Sequence, residues 1–179
     1  MKINLSNCTE EELWKYIATE LSRHEVDVIL VGGAVVSIYS SGAYKSGDLD
    51  FVINDFSRKK LTEVLYDLGF KQEGRHYKNS ECKHLFLEFA TFPASIGKDY
   101  DIIPDEVENE GQIIKIFSPT DCVRDRLANY AFFQARECLD QAILVSKEHS
   151  INFDKVQSWC KSERIENVFE EYIKIVKNN

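Results

Sequence analysis

An α+β fold, a mixed sheet with flanking helices followed by a C-terminal helical bundle, is what this chain of 179 residues predicts. Two observations carry that prediction. Up to residue 117, short strand-sized apolar runs are interleaved with amphipathic helical segments. From Ser118 onward only the helical period of 3.6 residues is found. The boundary separates residues 1–117 from residues 118–179, and a chain of this length suits one medium domain with a helical extension.

Thr9-Glu10-Glu11-Glu12 is a capping box, in which the Thr hydroxyl and the last carboxylate each take a backbone amide. It opens a helix to about residue 24 with Leu13, Ile17 and Leu21 on one face. Residues 26–31 follow as a central, buried strand. Gly32-Gly33 ends it, residues 34–39 form a short helix, and residues 40–43 are a loop of small side chains. Residues 49–53 make the second strand, and residues 57–68 an amphipathic helix stopped by Gly69. Residues 70–78 read as a strand or hairpin arm. Residues 85–91 alternate, with Leu85, Leu87 and Phe89 on one side and Phe86, Glu88 and Ala90 on the other. Residues 99–110, with six acids and Pro104, read as a loop, and residues 113–117 as the last strand. Ser118-Pro119-Thr120-Asp121 then supplies an N-cap, a first-turn proline and an early acid, which starts a helix. Further helices are expected at about 139–149, 153–161 and 165–176.

Composition narrows the function. Hydrophobic residues make up 44% of the chain and charged residues 29%, enough for a core without disulfides or a structural metal. The formal net charge of −8 repels a phosphate backbone at long range and argues against a dedicated nucleic-acid binder. Five cysteines, odd in number, widely spaced and without a CxxC pair, argue against a disulfide framework or a zinc ribbon. Cys82 and His84 form a lone C-x-H, too little for a site. With no signal-like apolar run and no membrane-length segment, the expected location is cytoplasmic.

Three features carry chemistry. A buried strand runs into Gly32-Gly33 and a helix, where the backbone can approach a ligand and the helix amides face an anion. With no GK[ST] and no GxGxxG, this is neither a P-loop nor a dinucleotide fingerprint. Second, in Ser46-Gly47-Asp48-Leu49-Asp50-Phe51 the two aspartates lie two apart on a strand and emerge on one face, while Leu49 and Phe51 enter the core. Two carboxylates so close repel unless a cation sits between them, and oxygen-only ligands favour Mg²⁺ or Mn²⁺. Third, Glu88 stands among apolar strand residues, so it either faces water or completes a charged site as a third acid. Asp99, Asp101 and Asp105 are alternatives for that third acid.

In this order the features resemble the nucleotidyltransferase superfamily, with its polymerase beta-like fold. Its pattern is a strand, a Gly-Gly or Gly-Ser turn, a short helix, two aspartates on the next strand and a third acid on a later one. More narrowly, Ser46-Gly47-Asp48-Leu49-Asp50 and the helix opening at Ser118 resemble small bacterial stand-alone nucleotidyltransferases related to type IV toxin components. The resemblance implies that Gly32 and Gly33 line a triphosphate and that Ser46 donates to a phosphate oxygen. Asp48 and Asp50 would hold the metal, with Glu88 as third acid. Arg126 would face the phosphates, with Arg124 as fallback. It departs at Gly33, where many members have Ser, and at Tyr44, where toxin-like relatives often have Arg.

The expected activity is metal-dependent transfer of a nucleotidyl group from a nucleoside triphosphate to a hydroxyl on an RNA end such as tRNA, a protein or a small molecule. Lys71, Arg75, His76, Lys78, Lys83 and His84 form a basic stretch that either grips an RNA end or makes a solvated hairpin face. Rival readings are a silent fold member acting as a toxin–antitoxin partner, a phosphohydrolase, for which HxxxH and HD pairs are lacking, and a DxD glycosyltransferase. Trp14, Trp159, Tyr130, Phe132 and Phe133 read as packing residues.

Overall fold

The structure is a computed structural model that describes residues 3–53, 57–91 and 93–178. Helix α1 (Glu10–Arg23) leads into β1 (Val28–Val31), α2 (Gly32–Tyr39), β2 (Asp48–Ile53) and α3 (Arg58–Asp67). Strands β3 (Lys71–Glu73), β4 (His76–Asn79) and β5 (Cys82–Thr91) follow, then β6 (Asp105–Asn109) and β7 (Gln112–Ile116). Helices α4 (Pro119–Phe133), α5 (Glu137–Glu148), α6 (Phe153–Glu163) and α7 (Glu166–Asn178) close the chain. The strands form one seven-stranded sheet in the order β3-β4-β5-β2-β1-β7-β6. It is mixed: β2 runs parallel to β5 and β1 to β7, and the remaining neighbours are antiparallel.

Local signals set most boundaries. Both halves of the capping box form at Thr9 and Glu12, and Ser118 caps α4 through the Asp121 amide. Helix α2 starts at Gly32, two residues earlier than expected, because Gly32 at φ +75° turns the chain from strand to helix in one step. Residues 70–78 resolve into the β3–β4 hairpin.

The loop expected over residues 99–110 needs correcting. Its second half is the edge strand β6, paired antiparallel with β7 from Asp105–Ile116 to Asn109–Gln112. Glu110 and Gly111 both take positive φ, 50° and 75°, which suits a tight two-residue hairpin turn. Acidic residues obscure the strand in the sequence, yet on an exposed edge they stay solvated and discourage pairing with another chain.

Leu49, Phe51 and Ile53 are fully buried, and Phe51 stacks on Phe89 with ring centroids 5.0 Å apart. Helix α2 touches β1 and β2 on one side and α4 and α5 on the other. One continuous cluster of buried side chains runs from Leu13 and Leu30 to Val123, Trp159 and Tyr172. Phe132 and Phe133 do not join the core; they are 46% and 76% exposed at the end of α4. Among the described residues, no helix is long and apolar enough to cross a membrane.

Candidate active site

Strand register assembles the site. Val31 lies opposite Asp50, Asp50 opposite Glu88, and Glu88 opposite His76, so these four form a row across β1, β2, β5 and β4. Directly paired residues share a face, and Asp48 lies two residues from Asp50 on the same one. Asp48, Asp50 and Glu88 therefore look out from one side of the sheet while Leu49, Phe51 and Leu87 are buried.

The diglycine bend sits directly against this row. A Cβ placed on Gly32 would come 2.4 Å from Asp50 Oδ2, closer than atoms tolerate, so only glycine fits there. At Gly33 a Cβ would meet Ser46 Oγ at 3.0 Å and the Tyr44 hydroxyl at 3.5 Å. The Ser46 hydroxyl thus stands beside the place a serine at position 33 would fill, which gives the Gly33 departure a structural counterpart. No side chain caps the N-terminus of α2, and its first turn holds no acid. Such an end favours an anion.

Ser46 donates its hydroxyl proton to Asp48 Oδ1 at 2.9 Å and so orients that carboxylate. Its own amide donates to Glu10 Oε1 at 2.9 Å, and Lys45 Nζ lies 3.6 Å from the other Glu10 oxygen. Glu10 is 4% exposed. Sequence reasoning missed this anchor because the capping box and the helix dipole already account for acids at residues 10–12. Tyr44, noticed only as a departure, lines the bend as well.

Arg126 lies close enough to lower the Asp50 pKa, and its guanidinium is held by Asp125 and by Gln141 Oε1 at 3.2 Å. Arg124, the fallback, is instead buried and paired with Asp121 and Asp99, and its charge lies 5.4 Å over the Trp159 ring. The alternative third acids are placed elsewhere. Asp99 binds Arg124, Asp101 donates its amide to Asp99, and Asp105 begins β6 at the opposite edge of the sheet from β3.

Glu88 Oε2 lies 3.2 Å from His76 Nε2 and 3.3 Å from Arg75 Nε. The basic stretch consequently divides into separate groups. Arg75 and His76 turn to Glu88, Lys71, Lys78 and Lys83 border a pocket of about 380 Å³, and His84 reaches the Cys8 carbonyl. Among the described residues, the one trio of Cys, His, Asp or Glu donors gathered within 4.8 Å is Cys8, Cys82 and His84, at the start of β5. Asp48, Asp50 and Glu88 thus share a face without closing on one another, as unneutralised carboxylates should.

Burial first, then the charges of Asp48 and Glu88, push Asp50 from its ordinary 3.8 up to about 7, against the pull of Arg126. The site fits a hard divalent cation: its donors are oxygens, and its buried acid lacks enough positive charge to ionise at its usual pH. This has a measurable consequence. Between pH 3.8 and about 7 the folded chain holds a proton on Asp50 that the unfolded chain has released, so stability falls as pH rises through that window. Above about 7 the penalty is complete, and below 3.8 it vanishes. Asp50→Asn should therefore melt higher than the parent at pH 8 and alike at pH 3.5; equal melting at both would exclude this electrostatic strain.

No family model and no curated protein matches the chain. Solved structures do. A nucleotidyltransferase-like antigenic protein from Paracoccidioides brasiliensis is 22% identical with a TM-score of 0.59, over 78% of this chain and 76% of that one. The lincosamide antibiotic adenylyltransferase LnuA, bound to lincomycin, is 16% identical at TM-score 0.54, over 80% and 99%. ANT(2'')-Ia, in complex with adenylyl-2''-tobramycin, is 12% identical at TM-score 0.51, over 92% and 97%. The likeness is one of backbone fold.

Proposed function

We propose that this chain, which has the nucleotidyltransferase fold, transfers a nucleotidyl group from a nucleoside triphosphate to a hydroxyl on a small acceptor. The observation that carries the reading is the row of Asp48, Asp50 and Glu88 on one sheet face against the Gly32 bend.

In this reading Gly32, Gly33 and the first turn of α2 cradle the phosphates, and Arg126 balances their charge from α4. Asp48 and Asp50, with Glu88, would hold Mg²⁺ or Mn²⁺, which when bound neutralises phosphate charge and fixes the triphosphate. The acceptor hydroxyl attacks the α-phosphorus, its oxygen forms the new P–O bond, and the bond to the β-phosphate breaks so that pyrophosphate leaves. Glu88 takes the hydroxyl proton, with His76 and Arg75 fixing its carboxylate. Most of the rate comes from positioning and charge neutralisation.

Two neighbours that act on antibiotics favour a small hydroxyl-bearing acceptor over tRNA, and the net charge of −8 points the same way. The test incubates the full chain with each labelled nucleoside triphosphate, Mg²⁺ and aminoglycoside, lincosamide, tRNA or protein acceptors. Pyrophosphate release with label on a small acceptor is expected. Label on tRNA or protein would move the acceptor class while keeping the reaction. Absent triphosphate binding in calorimetry would leave a silent fold member, such as a toxin–antitoxin partner.

A further inference from the structure

At the other end of β5 from Glu88, the fold brings together residues that the sequence keeps 74 positions apart. Cys8, next to the N-cap of α1, has its sulfur 4.0 Å from that of Cys82, the first residue of β5. Both are buried, at 5% and 1% exposure. His84, exposed two residues further along β5, turns its Nε2 to within 2.8 Å of the Cys8 carbonyl oxygen. One donor atom from each of Cys8, Cys82 and His84 lies within 4.8 Å of the other two.

We propose that Cys8, Cys82 and His84 form a metal site for a thiophilic divalent cation of the zinc class, distinct from the carboxylate site. The six steps of strand from Cys82 to Glu88 span up to about 20 Å, too far for one ion to serve both. The sulfurs are about twice as far apart as a disulfide's, which is about 2.05 Å. Two thiolates on one tetrahedral zinc, each at about 2.3 Å, stand about 3.8 Å apart, close to the spacing found here. Two sulfurs and an imidazole select zinc over magnesium, the reverse of the oxygen-only set around Asp50.

Two buried cysteines alone would be ordinary packing. What sets this pair apart is the exposed histidine whose ring folds inward onto the Cys8 backbone instead of extending into water. A pocket of about 530 Å³ bordered by Asn4, Ser6, Ser80, Glu81, Lys83 and His84 brings solvent up to the histidine. On binding, both thiols release their protons to solvent, and the cation gains two thiolates and one ring nitrogen with no change of oxidation state. The bound ion ties the start of α1 to β5. Because Glu10, two residues beyond Cys8, holds the Ser46 amide, it also braces the loop that leads into Asp48.

The test uses the full chain, stripped with a chelator and titrated with Co²⁺ alone. One equivalent should bring up near-ultraviolet thiolate-to-metal absorption, zinc should abolish it by displacement, and zinc should raise the melting temperature. His84→Ala, an exposed change that spares the core, should weaken binding by at least about 10-fold, since losing even a group that only orients a ligand costs about 10- to 100-fold. Cys82→Ser should remove the absorption, and Asp48→Ala should leave it intact. Lack of thiolate absorption, unchanged affinity in His84→Ala, or a mass two hydrogens lighter with both thiols blocked to alkylation would overturn the proposal.

Discussion

Replacing Asp48 with alanine is expected to cut nucleotide transfer by about 10³-fold or more, a loss of several kcal/mol of transition-state charge stabilisation. Asp50→Ala should do the same. Neither change should unfold the chain. Asp48 is only part-buried and gives up, among the described residues, a hydroxyl bond from Ser46, while removing the Asp50 carboxylate takes away a charge whose burial opposes folding. The fall should appear in kcat at saturating triphosphate and Mg²⁺, with the far-ultraviolet circular dichroism unchanged. Glu88→Gln should lower kcat less, because a ligand role is only weakened while proton acceptance is lost. Transfer within tenfold of the parent in Asp48→Ala would dismiss the carboxylate face as the reacting centre.

Much of this face was legible because strand geometry is periodic. A two-residue spacing fixes which side Asp48 and Asp50 share, and an acid inside an apolar strand marks Glu88 for the same sheet. The glycines at 32 and 33 were legible as a bend, though not as the surface against which Asp50 packs. What the sequence did not disclose depends on contacts between distant segments. Glu10 looks like a capping acid and proves to hold the Ser46 amide 36 residues away. Cys8 and Cys82 look like unrelated thiols until β5 is laid beside the start of α1. The edge strand β6 was hidden for a different reason: edges tolerate the acids that interior strands exclude, so its composition resembles a loop.

Arg124 and Arg126 pose the same problem most sharply, since two arginines two positions apart in one helix cannot be ranked from sequence. A period of 3.6 residues sends them in different directions. Arg126 points toward Gln141 and the field of Asp50; Arg124 is 1% exposed, with Asp121 Oδ1 2.7 Å away, Asp99 on its other branch and Trp159 beneath. Arg124→Met is therefore expected to cost about 3 kcal/mol or more of stability, at the lower end for a broken buried pair because Lys155 Nζ still reaches Asp121 at 2.9 Å. With typical domains stable by only about 5–15 kcal/mol, that should move the urea midpoint visibly. Arg124→Lys should recover only part of it, since an ammonium cannot span Asp121 and Asp99 as a planar fork does. The KM for triphosphate should stay at the parent value in the folded fraction. A stable Arg124→Met protein with a raised KM would instead return Arg124 to the phosphates and make the Asp121–Asp99 bridge incidental.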